Sequence, residues 1–236
     1  MRSTTVVSLG GSLIASDKGD ARFLKSFYSI LKRRLDDDAS RRFILVTGGG
    51  VIARENQRKY LYVRGSDEAR TDSQDWIGIA ATKNNAELVR RIFEDYCHND
   101  VLSDPEKLED FDGQVLLASG WKPGRSTDYV AVALASRIKA DKVINLTNIA
   151  RVYSDDPRTN PDARALSEIS WKDYRSIVGD EWSPGKNTPF DPVASKLAQE
   201  EGITVLIVKG SDQEADVKNL ESALDGGPFF GTTIHP

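Results

Sequence analysis

Short apolar segments recur along the chain and alternate with longer segments whose apolar residues lie three or four positions apart. The short segments are rich in Val, Ile and Leu and predict buried strands at Thr5–Leu9, Phe43–Thr47, Val115–Ser119, Val143–Thr147 and Thr204–Val208. The longer segments predict helices at Ala21–Asp36, Ser73–Tyr96, Thr127–Lys139, Pro192–Glu201 and Glu214–Leu224. Alternation of strands with helices predicts an α/β fold, with a mostly parallel sheet covered by helices on both faces.

The remaining segments indicate turns and loops rather than a boundary between domains. Residues Asn148–Pro161, rich in Asp, Asn and Pro, and residues Gly179–Pro192 are predicted to be long loops. There is no internal repeat and no evident linker, and 236 residues suit one α/β domain. We therefore expect residues 1–236 to form a single domain.

Composition and charge narrow the classes of function. A net charge of −4 argues against a general nucleic-acid binder. Cys97 is the only cysteine, so no internal disulfide forms, and no run of about 18 apolar residues is long enough to cross a membrane. These features, with no signal-peptide pattern at the start, are typical of a soluble cytoplasmic protein.

Glycines follow three of the predicted strands. The first strand runs into Gly10-Gly11-Ser12, the second into Gly48-Gly49-Gly50 and the third into the segment Ser119–Asp128. Because ligands of parallel sheets bind at the carboxyl ends of the strands, these loops are expected on one edge. Glycine lets backbone amides approach an anion, and a helix N-terminus adds partial positive charge. The pattern predicts a phosphate site built from separate loops.

Several well-known catalytic patterns are absent. The chain has no G-x-x-x-x-G-K-[ST] loop, no G-x-G-x-x-G and no set of protein-kinase motifs. Only two histidines occur, His98 and His235, and there is no G-x-S-x-G segment, which disfavours a Ser–His–Asp triad. Cys97-His98 lacks a second pair at zinc spacing.

The order of the remaining motifs resembles the amino acid kinase family, most closely its UMP kinases of archaeal type. The pieces that carry the resemblance are SLGGSLI (8–14), VTGGGVIAR (46–54), DWIGIAATKNNAEL (75–88), GWKPGRSTDYVAVALA (120–135), NLTNIARVYSDDP (145–157), FDPVASKLAQEEGITVLIV (190–208) and GTTI (231–234). The resemblance implies a three-layer α/β/α sandwich that transfers the γ-phosphate of ATP to UMP with Mg²⁺. It also implies an N-terminal part that binds UMP, a C-terminal part that binds ATP, and a hexameric assembly.

The resemblance also implies roles for individual residues. The UMP site would comprise Gly49, Asp75, Gly120, Trp121, Lys122, Pro123, Gly124, Arg125, Ser126 and Thr127. The ATP site would comprise Gly11, Ser12, Gly50, Arg54, Thr147, Asn148, Tyr153 and Asp156. Ser12 and Asp128 would act in catalysis, with Asp128 orienting cationic groups or Mg²⁺ near the transferred phosphate; no metal site made of protein ligands alone is expected.

Some of these residues also have plainer interpretations. Asp75 fits a helix cap or first-turn acid as well as a ribose contact. Trp121 fits ordinary packing as well as stacking on a base. The SDDP segment that contains Asp156 fits a turn before proline.

The chain departs from the family pattern at two places. Many relatives carry a lysine in the first strand where this chain has Ser8, so another cation is needed; Lys196 is the first candidate and Lys186 the second. Relatives usually read T-N-x-D-G-V-Y, whereas this chain has Ala150-Arg151 in place of Asp-Gly. Either Arg151 adopts a strained positive φ, or it adds a contact to phosphate or adenine.

Two alternative functions stay open from the sequence. The acceptor could be an isopentenyl phosphate, a carbamate or an acylamino acid, although those branches lack the D-x-I-G-I segment. The chain could also be a catalytically silent member that binds nucleotides or oxyanions, as in the molybdenum-storage proteins that resemble UMP kinases. Ser8 and Ala150-Arg151 are the features that favour the silent alternative.

Overall fold

The computed structural model describes residues 3–15, 21–181 and 188–236. Its first half contains, in chain order, β1 (Ser3–Leu9), α1 (Gly11–Ile14), α2 (Arg22–Asp37), β2 (Arg41–Thr47), α3 (Gly50–Arg64), α4 (Thr71–Ile92), a 3₁₀ turn (Pro105–Lys107) and β3 (Val115–Ala118). The second half contains α5 (Thr127–Arg137), β4 (Lys142–Thr147), β5 (Val152–Tyr153), β6 (Ala165–Leu166), β7 (Glu168–Ser170), α6 (Trp171–Val178), α7 (Pro192–Glu200), β8 (Thr204–Lys209), α8 (Glu214–Leu224) and β9 (Gly231–His235).

A seven-stranded sheet in the order β3-β2-β1-β4-β8-β9-β7 forms the middle layer. Its neighbouring strands pair in parallel, except that β9 runs antiparallel to β8. β5 and β6 form a separate antiparallel pair. The predicted mostly parallel sheet is confirmed, and β1 lies at its centre.

Apolar side chains of the central strands point alternately to the two faces of the sheet and form one hydrophobic core on each face. Val6 of β1 packs on the face covered by α5 and α7, whereas Val7 packs on the face covered by α2 and α8. Both valines are completely buried. Alternation with a period of two therefore fills both faces, as expected for strands buried on two sides. The predicted α/β/α sandwich is confirmed.

The predicted strands and helices are present with small shifts at their ends. The largest shift is in α4, which begins at Thr71 rather than Ser73 and ends at Ile92 rather than Tyr96. Phe93 leaves the helical conformation, and turns follow it. The helical start after the triple glycine becomes α3, which is 15 residues long.

Other elements were missed because their sequence signals are short. β5, β6 and β7 have two or three residues, too few to show a period. β5 also interrupts the segment Asn148–Pro161, which was expected to be only a loop. α6 was missed although Ser170 caps it and Trp171, Tyr174 and Val178 repeat at helical spacing.

A buried tyrosine of α6 fixes the segment that leads into α7. The hydroxyl of Tyr174 donates to the carbonyl of Phe190 at 2.8 Å and accepts from its N–H at 2.7 Å. Tyr174 and Phe190 are completely buried. Because no water reaches these groups, Tyr174 satisfies both backbone polar groups of Phe190 and positions the residue after it.

No helix in the described part of the chain is both long and apolar enough to cross a membrane.

Replacing Tyr174 with Phe is expected to lower the free energy of unfolding by about 1–3 kcal/mol, because two buried backbone groups lose their partner. Urea unfolding measures this change. Tyr62→Phe is the matched control, since Tyr62 is 91% exposed and its hydroxyl should contribute little. Equal stability of the two variants would contradict this role of the Tyr174 hydroxyl.

Candidate active site

The glycine loops that follow β1 and β2 touch each other through bare backbone. A Cβ atom on Gly11 would lie 2.1 Å from the nitrogen of Gly50, and one on Gly50 would lie 2.3 Å from the oxygen of Gly11. Gly50 also has a φ of +64°, which side chains disfavour. Two of the three predicted loops therefore meet at one edge of the sheet, and only glycine fits at their contact.

The N-terminus of α3 lies at this contact between the glycine loops. α3 begins at Gly50, and its N-cap residue Gly49 provides no side-chain hydrogen bond to the helix. The first amides of a helix have no partners within it, so these amides remain available to an anion. Arg54 lies one turn further along α3 and is exposed. Gly50 and Arg54 were both predicted to face the donor phosphates.

The third loop is tied to α4 by two hydrogen bonds. The N–H of Gly120 donates to Oγ1 of Thr82 at 2.8 Å, and the N–H of Gly124 donates to Oδ2 of Asp75 at 2.7 Å. Asp75 is 9% exposed and lies beyond the first turn of α4, whose N-cap is Arg70. The alternative that Asp75 caps a helix is therefore wrong. Asp75 instead fixes the loop that was predicted to enclose UMP.

Aromatic and cationic side chains pack together in this loop. The rings of Trp121 and Tyr129 stack with centroids 6.4 Å apart, and Nζ of Lys122 lies 3.5 Å from the Trp121 ring. The guanidinium of Arg125 lies 4.7 Å from the ring of Tyr129. Trp121 packs in this cluster and lines a cavity of about 260 Å³, and its stacking on a base stays a prediction.

A half-buried carboxyl group, Asp128, and a buried one, Asp191, lie beside the end of β1. Oδ1 of Asp128 accepts a hydrogen bond from the hydroxyl of Ser8 at 3.1 Å, and Oδ2 accepts from the N–H of Asp191 at 3.2 Å. Ser126 caps α5 and so places Asp128 in its first turn. Ser8, where many relatives have lysine, is thus a direct partner of the predicted catalytic aspartate.

The pKa values of both carboxyl groups are raised. Burial, and then the charge of Asp191, raise the pKa of Asp128 from 3.8 to about 7. Burial also raises the pKa of Asp191. Asp191 caps α7 through Oδ1, which accepts from the N–H of Ala194 at 2.6 Å, whereas its buried Oδ2 has no partner in the described chain. The pair is therefore poised to hold a proton near neutral pH.

Asp191 was not singled out from the sequence. Its signal there, an aspartate before Pro192 at a helix start, indicates only a helix cap. Pairing with Asp128, 63 residues away, depends on how α5 and α7 pack on the same face of the sheet.

The lysine candidates lie in different surroundings. The side chain of Lys196 is 59% exposed, and its Nζ is 4.0 Å from Glu200 on the same helix. Lys186 lies outside the described residues. Lys209, which the sequence analysis did not select, ends β8 beside Thr147 of β4, and its Nζ is 2.9 Å from Asp216. Lys209 is thus a further cation at the carboxyl edge of the sheet.

The other expected ATP residues follow β4. The hydroxyl of Thr147 is 3.4 Å from Oδ1 of Asn148, and Tyr153 is 36% exposed in β5. Asp156 pairs with Arg158 at 2.7 Å, and hydrogen bonds from Arg158 lower the pKa of Asp156 to about 2. Asp156 therefore belongs to a local turn. Ser12 is half-buried in α1, next to the contact of the glycine loops.

Arg151 does not carry the backbone strain that was considered for it. Lys139 is the only non-glycine residue with positive φ in the described ranges, so Arg151 adopts an ordinary conformation. Its guanidinium instead lies 4.1 Å from the ring of Phe230. Of the two expectations for Arg151, the strained turn is wrong, and a contact with phosphate or adenine stays a prediction.

A sandwich of helices around a mostly parallel sheet, with bare glycine loops at the strand ends, is typical of α/β proteins that bind phosphate groups. The model of the amino acid kinase family matches residues 3–209, and the chain therefore belongs to the amino acid kinase family.

Relatives of known name cover nearly the whole chain. The uridylate kinase of Methanospirillum hungatei JF-1 is 35% identical over 234 residues, which are 98% of this chain and 94% of the relative. The uridylate kinase of Pyrococcus abyssi is 32% identical over 239 residues, covering 98% and 99%.

Solved structures agree with the fold described above. The crystal structure of uridylate kinase from Archaeoglobus fulgidus has a TM-score of 0.76 at 31% identity and covers 98% of this chain and 99% of that one. The UMP kinase from Bacillus anthracis has a TM-score of 0.73 at 18% identity, over 98% of this chain and 95% of that one, and shows the fold alone.

The raised pKa of Asp128 predicts how stability depends on pH. A carboxyl group with a higher pKa in the folded state makes the protein lose stability as the pH rises from about 4 to 7. A shift from 3.8 to about 7 corresponds to at most about 4 kcal/mol. The asparagine of Asp128→Asn does not titrate. The free energy of unfolding of this variant, measured relative to the wild type, should therefore increase from pH 5 to pH 8.

Urea unfolding at pH 5, 6, 7 and 8 measures this difference. Asp67→Asn, on an exposed loop, is the control for replacing an aspartate by an amide. A pH-independent difference for Asp128→Asn would show that the carboxyl group titrates as an exposed aspartate does.

Proposed function

We propose that this protein is a UMP kinase that transfers the γ-phosphate of ATP to UMP. The observation that carries the proposal is the backbone contact between Gly11 and Gly50, which brings the glycine loops of two strand ends together. Full-length relatives named uridylate kinase support UMP as the acceptor. None of these relatives is a storage protein, so the catalytically silent alternative gains no support from them.

The residues near the glycine loops suit phosphoryl transfer, which depends on positioning and charge stabilisation. The free amides of α3 and the guanidinium of Arg54 would bind the donor phosphates. Lys122 and Arg125 would neutralise the UMP phosphate, in a loop that Asp75 fixes. A phosphate monoester is largely dianionic at neutral pH, so the acceptor oxygen needs no general base. Asp128 would therefore act by orientation rather than by removing a proton.

Mg²⁺ is proposed to enter with ATP. In the described part of the chain, no group of three or more His, Cys, Asp or Glu side chains is placed to hold a metal ion. Mg²⁺ usually keeps several waters and binds substrate phosphates with one or two carboxylates. The unpartnered Oδ2 of Asp191, beside Asp128, fits such an ion. When bound, the ion supplies positive charge to the phosphate oxygens.

The acceptor is tested by ADP release from ATP in the presence of UMP, CMP or AMP. UMP should give the fastest turnover by a wide margin, and EDTA should abolish it because Mg²⁺ is removed. A response to UMP no larger than that to CMP and AMP would reject UMP as the acceptor.

Asp75→Ala should raise the KM for UMP by about tenfold while the KM for ATP changes little, because the loop at Gly124 loses its anchor and UMP its carboxylate partner. Steady-state kinetics in both substrates measure this split. Asp72→Ala, in the exposed first turn of the same helix, is the control. Equal changes in both KM values would contradict a UMP-specific role.

An oligomer is proposed because α3 is poorly covered. Among its 15 residues only Ala53 is buried, while Ile52, Tyr62 and Val63 are 41%, 91% and 79% exposed. Ile52 and Val63 lie about three turns apart and share one side of the helix. A second copy of the chain would cover this side, and the hexamer expected from the sequence remains the specific prediction, as does the cytoplasmic location.

Light scattering after size-exclusion chromatography should give a mass six times that of one chain. Val63→Glu should reduce this mass, because a charge would be buried at the contact, whereas Glu68→Lys in the following loop should not. A monomeric wild type at micromolar concentration would reject the proposed assembly.

A further inference from the structure

The guanidinium of Arg151 is a cation without a polar partner in the described chain. It makes no hydrogen bond or ion pair with the described residues, and its Nε is buried without an acceptor. Its guanidinium carbon lies over the Phe230 ring, 4.1 Å from the ring centroid. A guanidinium has five N–H donors, and an unsatisfied buried donor costs free energy. Arg151 thus stacks on Phe230 while one buried donor, its Nε–H, has no acceptor among the described residues.

Hydrogen bonds hold the backbone of Phe230 and of Val152, the residue that follows Arg151. Asn219 of α8 accepts the N–H of Phe230 at 2.6 Å and donates to its carbonyl at 2.8 Å. Next to Arg151, the N–H of Val152 donates to Oγ1 of Thr232 at 2.9 Å. The Phe230 ring nevertheless remains 57% exposed. The stacked pair therefore forms an exposed aromatic and cationic surface, which we call the Arg151–Phe230 platform.

The platform lies at the same edge of the sheet as the glycine loops. Gly231, the first residue of β9, pairs with Val208 near the carboxyl end of β8, and Lys209 pairs with Thr147. Counting from β1 through β4 and β8, β9 is three strands away, or about 14 Å at the usual strand spacing. This separation is comparable with the length of an extended nucleoside triphosphate from its terminal phosphate to its base.

We propose that the Arg151–Phe230 platform binds the purine base of the donor nucleotide, an inference that rests on the proposed kinase function. Flat aromatic and guanidinium groups stack on bases, and the edge of a guanidinium donates to the acceptor N7 of a purine.

Isothermal titration with ATP and with inorganic tripolyphosphate, without UMP, tests the platform separately from catalysis. Phe230→Ala and Arg151→Gly should each weaken ATP binding about tenfold, because a base loses its stacking partner. Binding of tripolyphosphate, which has no base, should stay unchanged. Phe230→Tyr keeps the ring and should bind ATP as the wild type does, and Arg33→Ala, an exposed arginine of α2, is the charge control.

Kinetics provide a second measurement. The KM for ATP should rise about tenfold in Phe230→Ala and Arg151→Gly, while kcat and the KM for UMP stay unchanged. If Phe230→Ala does not fold, Arg151→Gly carries the same test, since Arg151 lies outside the regular elements, just before β5.

The outcomes separate the two proposals. Unchanged ATP binding in both variants would overturn the platform, and so would equal weakening of ATP and tripolyphosphate, which would assign Arg151 to the phosphates. A wild type that binds ATP in a Phe230-dependent way, but does not phosphorylate UMP, would reject the kinase and keep the platform as a nucleotide site. A wild type that binds no ATP would reject both.

Discussion

The close approach of Gly11 to Gly50 is the constraint on which the candidate site depends. The two loops are in backbone contact, and an added Cβ on either residue would collide with the other loop. Packing at this distance aligns the end of β1 with the start of α3, and so brings amides from separate elements to one place. The third loop needs no such contact, because Asp75 and Thr82 of α4 hold it through its amides.

Beside the end of β1, the chain tolerates an arrangement that is unfavourable for stability. Burying two carboxyl groups beside each other costs free energy, and only part of that cost is offset by bonds from Ser8 and from backbone amides. The arrangement persists because its surroundings are fixed. Tyr174 holds Phe190 through two hydrogen bonds, so the residue that follows has little freedom to turn away. Arrangements that are unfavourable in free energy are common at functional sites.

The sequence was sufficient for the features that depend on local pattern. Short apolar runs predicted the five central strands, and glycines at their ends predicted three loops on one edge, two of which are in backbone contact. Features that depend on packing between distant segments were not predictable. The pairing of Asp191 with Asp128, and the stacking of Arg151 on Phe230, join residues 63 and 79 positions apart, and neither leaves a periodic trace. The helix α6 is different: its spacing was visible, but its eight residues gave a weak signal.

The central place of β1 has a consequence for how the chain reaches its native state. β1 pairs with β2 on one side and with β4 on the other, so its second edge stays open until residues 142–147 have been synthesised. An open apolar edge is a template for pairing with other chains. During translation, nascent chains that contain only the first three strands should therefore be the species most prone to aggregate and most in need of chaperones.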